Sequence, residues 1–113
     1  MHELGLCDAL LKMVRNIAKE EELAAIERIT VEIGSLSGVV PKYMSDCWIA
    51  VTDGTELQDV EFVIEELQGT ARCMDCEVEF PADSEHLRCP KCGGAKLIPL
   101  TGRELTLKEI LAD

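Results

Sequence analysis

Cys73-Met74-Asp75-Cys76 and, twelve residues later, Cys89-Pro90-Lys91-Cys92-Gly93 decide how the rest of this chain is read. Each Cys-x2-Cys pair can form a knuckle whose two thiolates converge on one metal. Two knuckles complete a tetrahedron. The spacing is close to that of a zinc ribbon, with Zn–S distances of ~2.3 Å and all four positions filled by protein, which makes the site structural rather than catalytic. Gly93 follows the second knuckle, where φ > 0 lets the chain turn under the metal. Four thiolates around Zn(II) leave a negative local charge, and Arg72, Arg88, Lys91 and Lys96 stand near in sequence to offset it. The competing occupant is iron in a rubredoxin-like site, which colour would reveal. The plain alternative is four buried thiols with no metal. The segment has few apolar residues besides Val78, Phe80, Leu87 and Leu97, so zinc is expected to supply most of its folding free energy.

Outward from the cysteines, the chain has helix and strand periods. Leu6, Ala9, Leu10, Met13 and Ile17 recur at the spacing of one helix face, predicting a helix from about Leu4 to Glu20. Ile29, Val31 and Ile33 alternate with Thr30, Glu32 and Gly34, as in a half-buried strand. Pro41 suits the first turn of a second helix, whose stripe is Met44, Cys47, Trp48 and Val51 and whose stop is Gly54. Val60, Phe62 and Ile64 alternate with Glu61 and Glu65, and Arg103 to Leu111 reads as a last strand. The expected fold class is α/β (α+β): a small sheet of about three strands with two helices, plus an inserted four-cysteine zinc-ribbon module. The expected domains are 1–70 with 99–113, and the insert 71–98.

The 113 residues allow one compact unit or one domain with a small appendage. Net charge is −11, and the acidity belongs to the body: residues 1–70 hold 14 acidic and 5 basic side chains, residues 71–100 hold 5 and 4. Such a surface repels polyanions, so nucleic acid is not an expected partner. The longest stretch without a charge, Ile33 to Pro41, is nine residues, far short of the ~20 that a membrane span needs. The start Met1-His2-Glu3, with Asp8 inside the first apolar stretch, does not read as a secretion signal, and a cytoplasmic location is expected. Paired Cys-x2-Cys motifs in such a chain point to metal rather than disulfides. No open three-ligand metal site, phosphate loop or nucleophile beside a base is legible, so an enzyme is not expected.

His2 stands one residue from an amine. The α-amine of Met1, the His2 backbone nitrogen and its imidazole Nδ1 can close adjoining chelate rings, a plane of nitrogens that suits Ni(II) or Cu(II) and is poor for zinc. Glu3 can add a carboxylate or orient the imidazole. Met1-His2-Glu3-Leu4, then Val31-Glu32-Ile33-Gly34-x-Leu36-Ser37-Gly38-Val39, then the two cysteine knuckles, then Gly102-Arg103-Glu104-Leu105 occur in that order. Together, over essentially the full length, they resemble the HypA/HybF family of nickel metallochaperones, which mature [NiFe]-hydrogenases and in some organisms also serve urease.

The resemblance implies nickel, as Ni(II) in transit, held by Met1, His2 and Glu3, and structural zinc held by Cys73, Cys76, Cys89 and Cys92. It also implies a HypB-type GTPase partner, the hydrogenase large-subunit precursor as recipient, and dimerisation of the chain. Cys7 and Cys47 fall in no ligand spacing and are expected in the core. His86 is expected on a surface loop; were that loop to fold back on the first domain, it would supply a further nickel ligand. The competing reading is a zinc-ribbon adaptor that binds proteins and ignores nickel, and nickel binding discriminates the two.

Overall fold

The computed structural model describes residues 2–113, with His2 described by its backbone. Its elements in order are α1 (His2–Glu20), β1 (Ile26–Gly34), α2 (Pro41–Thr52), β2 (Glu61–Leu67), β3 (Gly69–Cys73), β4 (Glu79–Ala82), β5 (Leu97–Thr101) and β6 (Leu105–Ala112). One three-stranded sheet has the order β2-β1-β6 and a second has the order β4-β3-β5. The expected two helices and first sheet are present, and the last segment is the expected strand. The second sheet has no counterpart in the sequence reading.

The chain divides into two compact units, one of 1–31, 39–65 and 107–113, the other of 32–38 and 66–106. The unit that holds the cysteines therefore takes in more chain than segment 71–98.

In the first unit α2 buries Met44 and Trp48 of its expected stripe, while α1 keeps Leu10 but otherwise turns a different stripe inward from the one that periodicity suggested. Cys7, Leu10, Leu11 and Val14 are buried while Met13 is 49% exposed, so the inward face of α1 is turned by about 100° from Leu6, Ala9 and Met13. The reason lies in two polar groups that join the inward face: Glu3 is 6% exposed, and the Cys7 thiol donates to the Met44 carbonyl at 3.3 Å. From α2, Met44, Trp48 and Thr52 are buried, and the Trp48 ring stacks on Phe62 with centroids 4.7 Å apart. The C-terminus of α1 closes as a Schellman turn. Leu23 N–H donates to the Ala18 carbonyl at 2.9 Å and Glu22 N–H to Lys19 at 3.4 Å, with Glu22 at φ 52° in the place that glycine usually fills.

In the second unit three glycines bring backbones together where no side chain fits. A Cβ on Gly34 would collide with the Gly102 backbone, and one on Gly69 would lie 2.7 Å from the Thr101 carbonyl oxygen. Leu36 N–H donates to the Gly102 carbonyl at 2.8 Å, and Gly34 N–H to that of Glu104 at 2.9 Å. The Ser35 hydroxyl donates to the Ala82 carbonyl and accepts the Gly69 N–H, each at 2.7 Å. The core beside this crossing is small: Ala71, Cys73, Phe80, Ala82 and Cys89, with Leu36, Val78 and Leu97 against it.

Gly34→Ala is expected to cost about 3 kcal/mol or more, since backbone and not a movable side chain would have to yield. Gly38→Ala, at φ 80° with nothing within 4 Å, should cost only about 1 kcal/mol. Urea unfolding of the two variants checks the contrast.

Candidate metal centre

β3 ends at Cys73, and the turn that follows carries Cys76 before the chain reverses into β4. The first knuckle is closed by Glu77 N–H donating to the Cys73 carbonyl and Cys73 N–H to that of Val78, both at 2.9 Å, with Glu77 at φ 64°. The second knuckle is closed by Gly93 N–H on the Cys89 carbonyl at 2.8 Å and Cys89 N–H on that of Gly94 at 2.9 Å. Gly93 has φ 73°, the left-handed turn expected of it. Met74 N–H reaches the Lys96 carbonyl at 2.9 Å, which ties the first knuckle to the strand leaving the second.

The four sulfurs of Cys73, Cys76, Cys89 and Cys92 lie within 4.8 Å of one another. Cys73 and Cys92 are 3.5 Å apart and Cys76 and Cys89 are 3.4 Å apart, sulfur to sulfur. A tetrahedron with Zn–S of ~2.3 Å requires sulfur pairs near ~3.8 Å, so the donor set fits a divalent ion at its centre with small adjustments. Backbone N–H groups point at the sulfurs: Lys91 and Cys92 donate to Cys89 Sγ at 3.4 and 3.5 Å, and Gly94 to Cys92 Sγ at 3.4 Å. Burial raises the Cys89 thiol, but the N–H groups of Cys92 and Lys91, with thiol bonds from Cys76 and Cys92, outweigh it and bring Cys89 down to about 6. At Cys92 the Gly94 N–H favours the thiolate, yet sharing protons with Cys73 and Cys89 pushes the thiol up to about 12. Four sulfurs at this distance cannot all ionise without a cation among them. The guanidinium of Arg88 donates to the Gly93 carbonyl at 3.1 Å, which puts one basic side chain on the second knuckle.

The nickel assignments at Met1 and at the side chain of His2 lie outside the described residues. Glu3 is described, and its carboxylate Oε2 accepts the Val40 N–H at 3.1 Å. Val40 is the N-cap residue of α2 and has no side-chain cap, so Glu3 takes up one of the amide groups that a helix start leaves open. This second task for Glu3 was not legible in the sequence, where its partner lies thirty-seven residues away.

His86 is exposed after β4, with Nδ1 at 2.8 Å from Asp83 Oδ1. The hydrogen bond with His86, then the Glu85 N–H, holds the Asp83 carboxyl below its usual range. A proton on Nδ1 in this pair leaves Nε2 as the nitrogen free to bind. His86 does not join the four-cysteine donor group. Cys7 is buried and Cys47 half-buried, and burial, with Cys47 and Glu3 nearby, pushes the Cys7 thiol up to about 11.

Comparison with known proteins decides the family. Residues 1–112 match the family model described as "Hydrogenase/urease nickel incorporation, metallochaperone, hypA". The chain belongs to the HypA family. HypA proteins are metallochaperones and not enzymes. Two relatives are named hydrogenase maturation factor HypA: one from Rhodopseudomonas palustris, 36% identical over 113 residues and covering both chains fully, and one from Geotalea uraniireducens, 36% identical over 97% of each chain. The fold is also that of a solved structure titled as the Ni metallochaperone HypA from Helicobacter pylori. That match has a TM-score of 0.66 at 21% identity, over 97% of this chain and 96% of the other. Among the described residues, no helix is long and apolar enough to cross a membrane.

Two outcomes follow from these contacts. Glu3→Ala should lower the stability of the first unit by about 1–3 kcal/mol, because a charge-assisted bond to a helix start is lost. Glu3→Gln, whose amide oxygen still accepts, should recover most of that, and urea unfolding followed by helix signal measures both. Iodoacetamide at about pH 8 should modify Cys47 well before Cys7, since only the thiolate reacts and the Cys7 thiol is both raised and enclosed. Peptide mass mapping reads the order.

Proposed function

We propose that the chain carries Ni(II) on its amino-terminal segment and passes it on during maturation of [NiFe]-hydrogenase, while Cys73, Cys76, Cys89 and Cys92 hold a structural zinc ion. Support for the carrier role comes first from Glu3. Its buried carboxylate is fixed to the Val40 amide, and Glu3 follows the proposed donors directly in sequence. In a chain that starts at Met1, the amine, the His2 amide nitrogen and the His2 imidazole are the nickel donors, and Glu3 tunes them. The zinc role is supported by the closed sulfur cluster, whose four donors leave no position for a substrate.

On this reading the immediate partners are a HypB-type GTPase and the hydrogenase large-subunit precursor, the chain acts in the cytoplasm, and it dimerises in solution. Urease is the second recipient that the family description names. His86, through its free Nε2, is the candidate for a further nickel ligand.

Calorimetric titration of the zinc-loaded chain with Ni(II) tests the proposal. A Gly placed before Met1 turns the amine into an amide and should lower nickel affinity sharply while zinc content stays at about one per chain. Affinity should also weaken steeply as pH falls through the His range near ~6.5, because nickel must displace protons from its nitrogens. Cys73→Ala or Cys92→Ala should lose zinc and open the second sheet while the helices remain. Equal nickel binding by the extended chain would overturn the amino-terminal chelate and turn the search to Cys7, Cys47 and His86.

A further inference from the structure

The first unit has a second feature that neither metal uses. Where α1 turns into β1, a cavity of about 330 Å³ opens against the loop that follows α2. Its wall includes Val14, Ala18, Leu23, Ala25 and Leu57, and Val14 and Leu57 are 0% and 3% exposed. The space equals that of about ten waters, enough for one bulky side chain. At the mouth, Arg15 and Glu56 pair through two bonds, Nε to Oε1 at 2.6 Å and Nη2 to Oε2 at 3.1 Å, and so neutralise each other. Between Ala18 and Leu23 of the wall the chain runs through the exposed Lys19, Glu20, Glu21 and Glu22, a stretch of net negative charge.

Helix stability does not account for these three glutamates. They occupy the last turn and cap of α1, where carboxylates oppose the macrodipole. Glu22 also takes the left-handed cap position that glycine fills at no steric cost. A hole with apolar side chains in its wall, two of them joined by a net negative stretch of chain, is complementary to one kind of occupant.

We infer that this cavity docks a partner protein through one large apolar side chain flanked by lysine or arginine. The apolar side chain fills the hole and displaces its water, as an interface anchor does. The flanking cations meet Glu20, Glu21 and Glu22, which steer the approach and set the orientation. A second copy offering this same face would set its own Glu20, Glu21 and Glu22 against these. The inference is independent of where nickel is held.

The test uses the isotope-labelled full chain and a blocked peptide of two lysines, one tryptophan and two lysines. Amide shifts should move and saturate at Val14, Ala18, Leu23 and Leu57. Binding should weaken several-fold from low salt to about 0.15 M. The exposed triple variant Glu20→Gln/Glu21→Gln/Glu22→Gln should weaken binding roughly three- to tenfold and flatten the salt dependence. Ala18→Trp, which fills the hole, should abolish binding. The triple variant keeps the test decisive if Ala18→Trp does not fold. The inference is overturned if the shifts fall elsewhere or are absent, or if a peptide with alanine for tryptophan, or glutamates for lysines, binds equally well. Shifts at these residues on dilution of the protein alone would assign the cavity to self-association and overturn it too.

Discussion

The backbone crossing of Gly34, Gly69 and Gly102 is the constraint on which the cysteine-bearing unit depends. β1 ends there, β3 begins there, and the turn from β5 to β6 passes through the same point. Atoms of the main chain approach so closely that a single Cβ at Gly34 or Gly102 meets backbone. Ser35 completes the crossing by serving two strands with one hydroxyl, as donor to Ala82 and acceptor from Gly69. The consequence runs outward along β3. Gly69 pairs with Ala82 and Arg72 with Glu79, so the register that brings Cys73 to the end of its strand is set four residues earlier, at the crossing.

Beyond that point the unit has little apolar surface with which to hold itself. Of the five buried residues clustered beyond the crossing two are cysteines, two are alanines and one is Phe80, whereas the first unit buries Leu10, Leu11, Val14, Ile29, Met44 and Trp48. Small units of this kind are stabilised by cross-links rather than by burial. The sulfur cluster joins the turn after β3 to the turn before β5, segments that otherwise share the pairing of β3 with β5 and the bond from Met74 N–H to the Lys96 carbonyl. On the proposed reading zinc therefore sets the folded state of this unit, and its removal is a folding event rather than the loss of a reagent.

What could be read from the sequence followed how local each signal is. The helices, β1, β2 and β6 carry periodic apolar residues, and each was placed within a few positions. The four cysteines were legible because ligand spacing is a local property of the turn. β3, β4 and β5 were not: Thr70-Ala71-Arg72, Phe80-Pro81-Ala82 and Ile98-Pro99-Leu100 show no clean alternation, and two of these strands contain a proline. Their pairing comes from the glycine crossing, made across thirty residues or more, and from the knuckles, made across 13 and 19. Glu3 shows the same limit. In the sequence Glu3 reads as a carboxylate that adds to the His2 chelate or orients its imidazole, and the distant Val40 amide accounts for its place on an inward stripe that runs through Cys7 instead of Met13.

The two proposed metal sites are separated by chemistry as well as by sequence. A tetrahedron of four thiolates favours a soft or borderline ion without geometric demands, and its closure keeps that ion in place. Amine, amide and imidazole nitrogens in a plane favour Ni(II) and give zinc a poor geometry. Competition by affinity alone would not keep the two ions apart, since first-row divalent ions bind a given donor set in an order that the protein cannot invert. Discrimination has to come from which donors are offered and in what arrangement. The proposed assignment meets that requirement: sulfur comes from the two cysteine knuckles, nitrogen from the chain ahead of Glu3, and Cys7 of the first unit is withheld. Cys7 is buried with its thiol raised to about 11, so near neutral pH it stays protonated and a poor ligand, and the soft donor closest in sequence to the proposed nickel segment does not compete for the cargo.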